Sequence, residues 1–342
     1  MTSHLHLVVP GLFGPMPGLK ELGLKPAAPV LERLLARADV AGAAGDSFES
    51  TLFDLFGLPR EPDSDLPSAA LSRLADGGER DDAFWLHADP VFLKPTADRL
   101  LLFDAQMLDI RPEDADELAA LFNRHFSQDG WHLEALHPDR WYLRLPTAPA
   151  LKTTPLADVI GRNIDPYLPS GAEAGHWRSV LNEIQMLFHS AAANRQREAD
   201  HLLPVNGIWL SGGGALPDGG KAGFSLVMAD DALSQGLSRH SETACQALSL
   251  DRLAQGCGGG GSCLVVYSPL QRTVLSADPQ SWVSRLNELE QWAVALQRML
   301  QKKELERLSL YPCNGQSFQI ERRGLRRFWI PCSPVSDYLL GR

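Results

Sequence analysis

The sequence predicts an α/β fold: a mostly parallel sheet as the core, with a small α+β module inserted into it. Short apolar, β-branched runs alternate with amphipathic helical stretches at both ends of the chain. A compact strand–helix–strand–strand pattern interrupts them between Trp85 and Pro146. Between these lies P-V-N-G-I-W-L-S-G-G-G-A-L-P, Pro204 to Pro217. Its apolar run Val205 to Leu210 stops at glycines, as a buried parallel strand does where it turns at the carboxyl edge of a sheet. Ligands bind at that edge in open α/β sheets, because the backbone can approach closely there.

Composition narrows the field. The chain has 342 residues, 44% apolar and 22% charged, with a net charge of −10. That balance argues against a nucleic-acid or anionic-membrane surface. No apolar stretch has the length of a membrane span. Met1 to Leu5 lacks a basic region and a cleavage site, so no signal peptide and a cytoplasmic setting are expected. The five cysteines (Cys245, Cys257, Cys263, Cys313, Cys332) form no C-x-x-C pair, which fits free thiols in a reducing compartment. No histidine follows His240, so a Cys/His zinc site is not expected.

Each element has a local reason. His4 to Val9 alternates and ends at Pro10-Gly11, as a strand does. Phe13 to Gly23 is a loop rich in Gly and Pro. Ala28 to Ala38 has helical spacing, with Pro29 suited to a first turn. Phe48 to Phe56 is a short helix stopped by Gly57, and Pro67 to Ala75 is another. Trp85 to Leu93 is a strand expected to break at Asp89-Pro90, and Arg99 to Phe103 a second. Pro112 to Phe126 begins with Pro112 and acids, and carries Leu118, Leu121, Phe122 and Phe126 on one face. Trp131 to Leu136 and Arg140 to Leu145 alternate as strands, and Pro146, Pro149 and Pro155 mark a linker. The boundaries expected are 85–146 for the inserted module and 1–84 with 147–342 for the core.

His176 to Ala193 is a long helix, Gly223 to Ala229 a strand and Asp231 to Leu237 a short helix. Gly256 to Gly261 is a glycine loop without the Lys or Ser/Thr of a phosphate loop. Cys263 to Tyr267 is a buried strand, Asp278 to Lys303 a long helix, and Arg307 to Tyr311 and Ser317 to Ile320 are late strands. Arg322 to Trp329 is basic and reads as a solvated face.

Several segments resemble the archaeal-type cofactor-independent phosphoglycerate mutases of the alkaline-phosphatase superfamily. They are the first strand before Gly11, Asp76 to Phe126, Thr154 to Pro169, and above all Pro204 to Gly214, similar to that family's P-A-N-A-I-W-L-W-G-Q-G. The opening H-L-H-L-V-V-P-G-L, W-L-H-A-D-P-V and N-G-I-W-L-S-G-G-G are more similar still to the bacterial RpfE-type regulatory proteins. The resemblance implies an alkaline-phosphatase-like core with an inserted module. It also implies a serine nucleophile and two divalent metals held by Asp and His. The residues depart from that pattern. Pro10-Gly11 replaces the Asp-Gly that supplies the first ligand. Counting back from Phe56-Gly57 puts Phe48 at the serine and Glu49 at the neighbouring Asp, with Ser47 one residue away. No D-x-x-x-H or D-H pair follows residue 205, and Cys313-Asn314-Gly315 fills the last position.

The expected function is therefore a catalytically degenerate relative: a binding or regulatory scaffold without cofactor or metal. The alternative is an active phosphoglycerate mutase or other phosphotransferase with rearranged residues, using Mn or Zn. A weaker third is a metal-independent hydrolase built on His87, Asp89 and Ser211. The expected ligand is a small polar or anionic metabolite, with neither nucleic acid nor membrane as partner. Its expected contacts are Gly11, Asn206, Ser211, Gly212 and Gly213, on one cleft where the first strand and Val205–Leu210 end together.

Overall fold

The structure is a computed structural model that describes residues 3–42, 45–61, 64–220, 223–257 and 261–339. Its strands are β1 (Ser3–Val8), β2 (Asp39–Gly42), β3 (Phe84–Pro95), β4 (Leu100–Phe103), β5 (His132–His137), β6 (Arg140–Leu145), β7 (Gly207–Gly214), β8 (Phe224–Met228), β9 (Cys245–Gln246), β10 (Gly261–Val266), β11 (Arg307–Tyr311) and β12 (Gln316–Glu321). The helices are α1 (Pro29–Arg37), α2 (Phe48–Leu55), α3 (Ser68–Ala75), α4 (Pro112–His125), α5 (Ala174–His189), α6 (Ala192–Ala199), α7 (Ala232–His240), α8 (Leu253–Cys257), α9 (Pro269–Leu275), α10 (Pro279–Lys302) and α11 (Val335–Tyr338). The chain is a mixed α/β protein of two compact units: Met1–Pro59 with Gly219–Arg342, and Arg60–Asp218. The expected division at 85 and 146 is therefore corrected: the second unit starts before α3 and extends past β7.

The first unit holds the mostly parallel sheet, in the order β2-β12-β11-β1-β10-β8-β9. β1 lies parallel between β10 and β11, and β12 alone runs against the rest, antiparallel to both β11 and β2. Leu5, Leu7 and Val9 point into one core with Leu31, Leu34 and Leu35 of α1 and Trp282, Leu286, Leu289 and Leu296 of α10. The helical period of those apolar residues dictates the packing. α1 has no side-chain cap of its own; the Glu290 carboxylate accepts the Val30 and Leu31 N–H groups at 2.8 and 3.0 Å. α9, β2 and the two-residue β9 were not anticipated, being too short for periodicity to reveal.

The second unit holds an antiparallel sheet organised on β3. Its Phe84–His87 pairs with β6, its Phe92–Pro95 with β4, and Trp85–Val91 with β7 on the other edge. β3 does not break at Asp89-Pro90. Asn206 N–H donates to the Val91 carbonyl, and the Asn206 amide both donates to the Leu93 carbonyl and accepts its N–H. By alternation, the side of Pro90 that lacks an N–H faces the gap between β6 and β4, so no ladder bond is lost. One face of this sheet packs Leu86, Ala88, Ile208 and Leu210 against Leu118 and Phe122 of α4 and Ile184 and Phe188 of α5.

Three further expectations are corrected. β7 is antiparallel and shares a sheet with β4 and β6, so Arg140–Leu145 is not set apart from Val205–Leu210. A continuous apolar run reports burial on two faces, and such burial is compatible with either direction. Cys257 and Cys263 form a disulfide across a Cα separation of 5.6 Å, leaving Cys245, Cys313 and Cys332 free among the described residues. The glycine loop expected at Gly256 to Gly261 falls largely on residues 258–260, outside the described residues. Among the described residues no helix is long and apolar enough to cross a membrane.

Candidate functional site

The glycine run is not a turn. Ser211 to Gly214 continue β7, and the glycines are there because neighbours press against the strand. Gly212 has φ +63°, and a Cβ on it would stand 2.1 Å from Ser68 Oγ and 3.1 Å from His87 Cδ2. A Cβ on Gly213 would meet Leu86 and Phe84 at 2.8 and 3.0 Å. Asn206 spends its amide on Leu93. Gly11 closes β1 in the other unit, with φ +80°, and its Cβ would meet the Gln271 backbone at 2.9 Å. Its carbonyl accepts the Trp282 indole N–H at 3.1 Å. Ser211, Gly212 and Gly213 are thus brought together, but β1 and β7 belong to different sheets and do not share an edge.

In the first unit, β1, β8, β10 and β11 end at a common carboxyl edge because they are parallel. Ser47 stands there as the N-cap of α2: its hydroxyl accepts the Ser50 N–H at 3.1 Å, and the Ser50 hydroxyl accepts the Ser47 N–H at 3.0 Å. Ser47, not Phe48, is therefore the residue directly ahead of the helix. The Gly315 N–H donates to the Gly45 carbonyl, which holds the Cys313 loop beside this cap. Burial pushes the Cys313 thiol up to about 12, so it is no thiolate at neutral pH. Asp230 accepts the Leu248 N–H, Asp231 caps α7 by accepting the Ser234 N–H, and Asn314 accepts the Gln316 N–H. Asp231 Oδ2 and Ser234 Oγ alone are left over in that cap. Among the described residues no group of three or more His, Cys, Asp or Glu could hold a metal ion. Pro10, just after β1 at this edge, brings no ligand atom on its side chain.

His4 and His6 lie elsewhere on β1, bonded to Ser309 Oγ at 2.9 Å and Tyr311 Oη at 3.0 Å. Burial lowers their pKa values to about 4 and about 3, so both are neutral.

The second unit has a different polar centre. His87 and Asp89 share one face of β3, with Nδ1 and Oδ1 3.9 Å apart. His87 is the cross-strand partner of Ser211 in the β3–β7 ladder. α3 adds Ser68, 1% exposed, against Gly212. Ser68 Oγ, His87 Nδ1 and Asp89 Oδ1 are all buried without a hydrogen-bond partner. Such groups cost about 1–3 kcal/mol each unless something bonds them. Burial lowers His87 to about 4, and burial raises Asp89 to about 7 even though the Trp141 N–H favours its ionised form. Nearby, Arg140 donates twice to Asp76 at 2.8 and 2.6 Å, and Tyr142 donates to Asp76 at 2.6 Å. A neutral imidazole beside a carboxyl that titrates near neutrality can exchange a proton or hydrogen-bond a small polar guest. Sequence reasoning missed Ser68, because nothing in P-S-A-A-L links it to a histidine on a distant strand.

No family model and no curated protein matches the chain. Among solved structures, it is similar to the PH0037 protein from Pyrococcus horikoshii, with a TM-score of 0.55 at 12% identity over 94% of this chain and 87% of that one. It also aligns with a cofactor-independent phosphoglycerate mutase from Thermoplasma acidophilum, with a TM-score of 0.47 at 14% identity over 94% and 90%. The second likeness is too loose to carry an argument. The first shows a shared fold, and at that identity the fold alone.

Proposed function

We propose that this chain is a catalytically degenerate phosphoglycerate-mutase-like protein that works by binding, as a regulatory scaffold, without metal or cofactor. The observation that carries this is that most polar side chains at the carboxyl edge of the first unit are committed to capping bonds, with Asp231 Oδ2 and Ser234 Oγ left over. Proline, a protonated thiol and capping side chains stand where two-metal phosphotransfer needs free carboxylates and imidazoles. The purified protein should interconvert 3- and 2-phosphoglycerate no faster than a blank with Mn²⁺, Co²⁺ or Zn²⁺ present. Turnover that disappears on chelation overturns this reading.

A small polar or anionic metabolite remains the proposed ligand, and the unpartnered atoms of Ser68, His87 and Asp89 now support the second unit as its locus. The cytoplasmic setting is also proposed. The Cys257–Cys263 disulfide tells against a reducing compartment, and cell fractionation decides the point. One observation favours the alternative of an active phosphotransferase: Ser47 directly precedes α2, where the resemblance puts the nucleophile. On that reading Ser47→Ala abolishes whatever phosphotransfer the wild type performs.

A further inference from the structure

The segment after β12 combines charge with exposed aromatic surface. Phe328 and Trp329 are 80% and 68% exposed, with their rings edge-to-face at 5.3 Å. A merely solvated cationic face does not carry two adjacent bare aromatics. Of the four arginines, Arg323 pairs with Glu321 at 3.0 Å and Arg327 with Asp39 at 2.6 and 3.2 Å. Arg322 and Arg326 are exposed and have no side-chain partner among the described residues.

Those internal pairs fasten the segment beside β2. Arg327 also donates to the Arg37 carbonyl at 3.1 Å, and Arg37 donates back to the Leu325 carbonyl at 2.8 Å. β2 is the end strand of the first unit's sheet: it pairs with β12 on one edge, and no described strand pairs with the other. It carries no Lys or Pro to discourage pairing, and Val40 is 59% exposed on it.

We propose that the free edge of β2 and the Arg322–Trp329 segment form one docking surface for an acidic, extended peptide segment of a protein partner. The backbone of the peptide adds a strand to β2, and its carboxylates meet Arg322 and Arg326. Phe328 and Trp329 supply the apolar anchor, the residue type that dominates interface energetics together with Arg. Charge complementarity selects the occupant: this is a locally cationic face on a chain of net charge −10. The inference uses neither the carboxyl edge nor the His87 centre, so it stands or falls independently of the proposed scaffold function.

The test titrates the full chain into a labelled peptide in which Glu alternates with Val and Phe. Two controls accompany it: the same peptide N-methylated on alternate backbone nitrogens, and a version with Lys for Glu. The expected result is saturable binding of the acidic peptide alone. Arg322→Glu combined with Arg326→Glu should weaken it at least about tenfold, as should Trp329→Ala. Arg322→Lys with Arg326→Lys should retain most of it, with thermal midpoints showing that every variant folds. No binding at millimolar peptide, equal binding of the N-methylated or Lys peptide, or indifference to both charge reversal and Trp329→Ala overturns the proposal. So does binding to phosphatidylglycerol vesicles in place of the peptide, which would assign the surface to a membrane.

Discussion

The carboxyl edge of the first unit and the His87 centre of the second are both rich in polar side chains, and they differ in how those atoms are used. At the edge, Ser47, Ser50 and Asn314 each accept a backbone N–H of their own loop or helix and Asp230 accepts that of Leu248, with only Asp231 Oδ2 and Ser234 Oγ left over in the α7 cap. In the centre, atoms from α3 and β3 converge under cover and leave Ser68, His87 and Asp89 each with an unpartnered atom. A capping side chain stabilises its helix and is lost to chemistry. An unpartnered buried atom destabilises the fold and so invites a guest.

The sharpest way to break the contrast is Gly212→Val. A β-branched side chain at φ +63°, with its Cβ 2.1 Å from Ser68 Oγ, strains backbone and packing together. The loss should reach about 3–6 kcal/mol or prevent the second unit from folding. A wild-type denaturation midpoint would mean that α3 does not press on β7 there.

Asp114→Ala asks whether burial alone makes the second unit different. Arg197 is 0% exposed and donates to Asp114 Oδ2 at 2.7 Å and to the Leu203 carbonyl at 3.0 Å, and it also bonds the Leu108 carbonyl. This buried charge is fully partnered, unlike His87 and Asp89. Stranding it should cost about 3–5 kcal/mol in urea unfolding. A change near zero would show that water already reaches the guanidinium.

Asp89→Asn sharpens the comparison through pH. Asp89, raised from 3.8 to about 7 by burial, contributes proton-linked stability that is whole below its unfolded value and lost as pH rises through about 7. His87, lowered from 6.5 to about 4 by burial, contributes stability that is whole above 6.5 and lost as pH falls through about 4. The amide keeps the shape and removes the first effect. The variant should therefore gain on wild type between about pH 4 and pH 8, by up to about 4 kcal/mol. Parallel stability curves for the two proteins would place Asp89 in contact with solvent or a neutralising partner.

The smallest effect belongs to the edge. Ser47→Ala removes one half of a reciprocal cap and should cost about 1 kcal/mol, with no change in ligand binding by the second unit. A loss of several kcal/mol would mean that Ser47 holds the Cys313 loop as well as α2.

Element positions were legible in the sequence because they depend on local spacing. Leu31, Leu34 and Leu35, the leucines of α10 and the alternation in β1 announce which faces are buried. The mixed α/β class followed from the same alternation. The helix expected at Phe48 to Phe56, stopped by Gly57, is likewise α2 to within one residue.

What tertiary structure alone decided is partnership. Whether β7 pairs in parallel or antiparallel does not alter its apolar run, since both faces are covered either way. The glycines of β7 look like a ligand turn until Ser68, His87 and Phe84 are seen against them. Ser68, His87 and Asp89 meet only because a helix crosses a bulged strand pair, and no spacing in the chain encodes that crossing. The Cys257–Cys263 bond and the open edge of β2 arise in the same way. Local periodicity records how much of each segment is buried. Which groups it is buried against is settled by contacts between residues far apart in sequence, and those contacts decide the chemistry of the site.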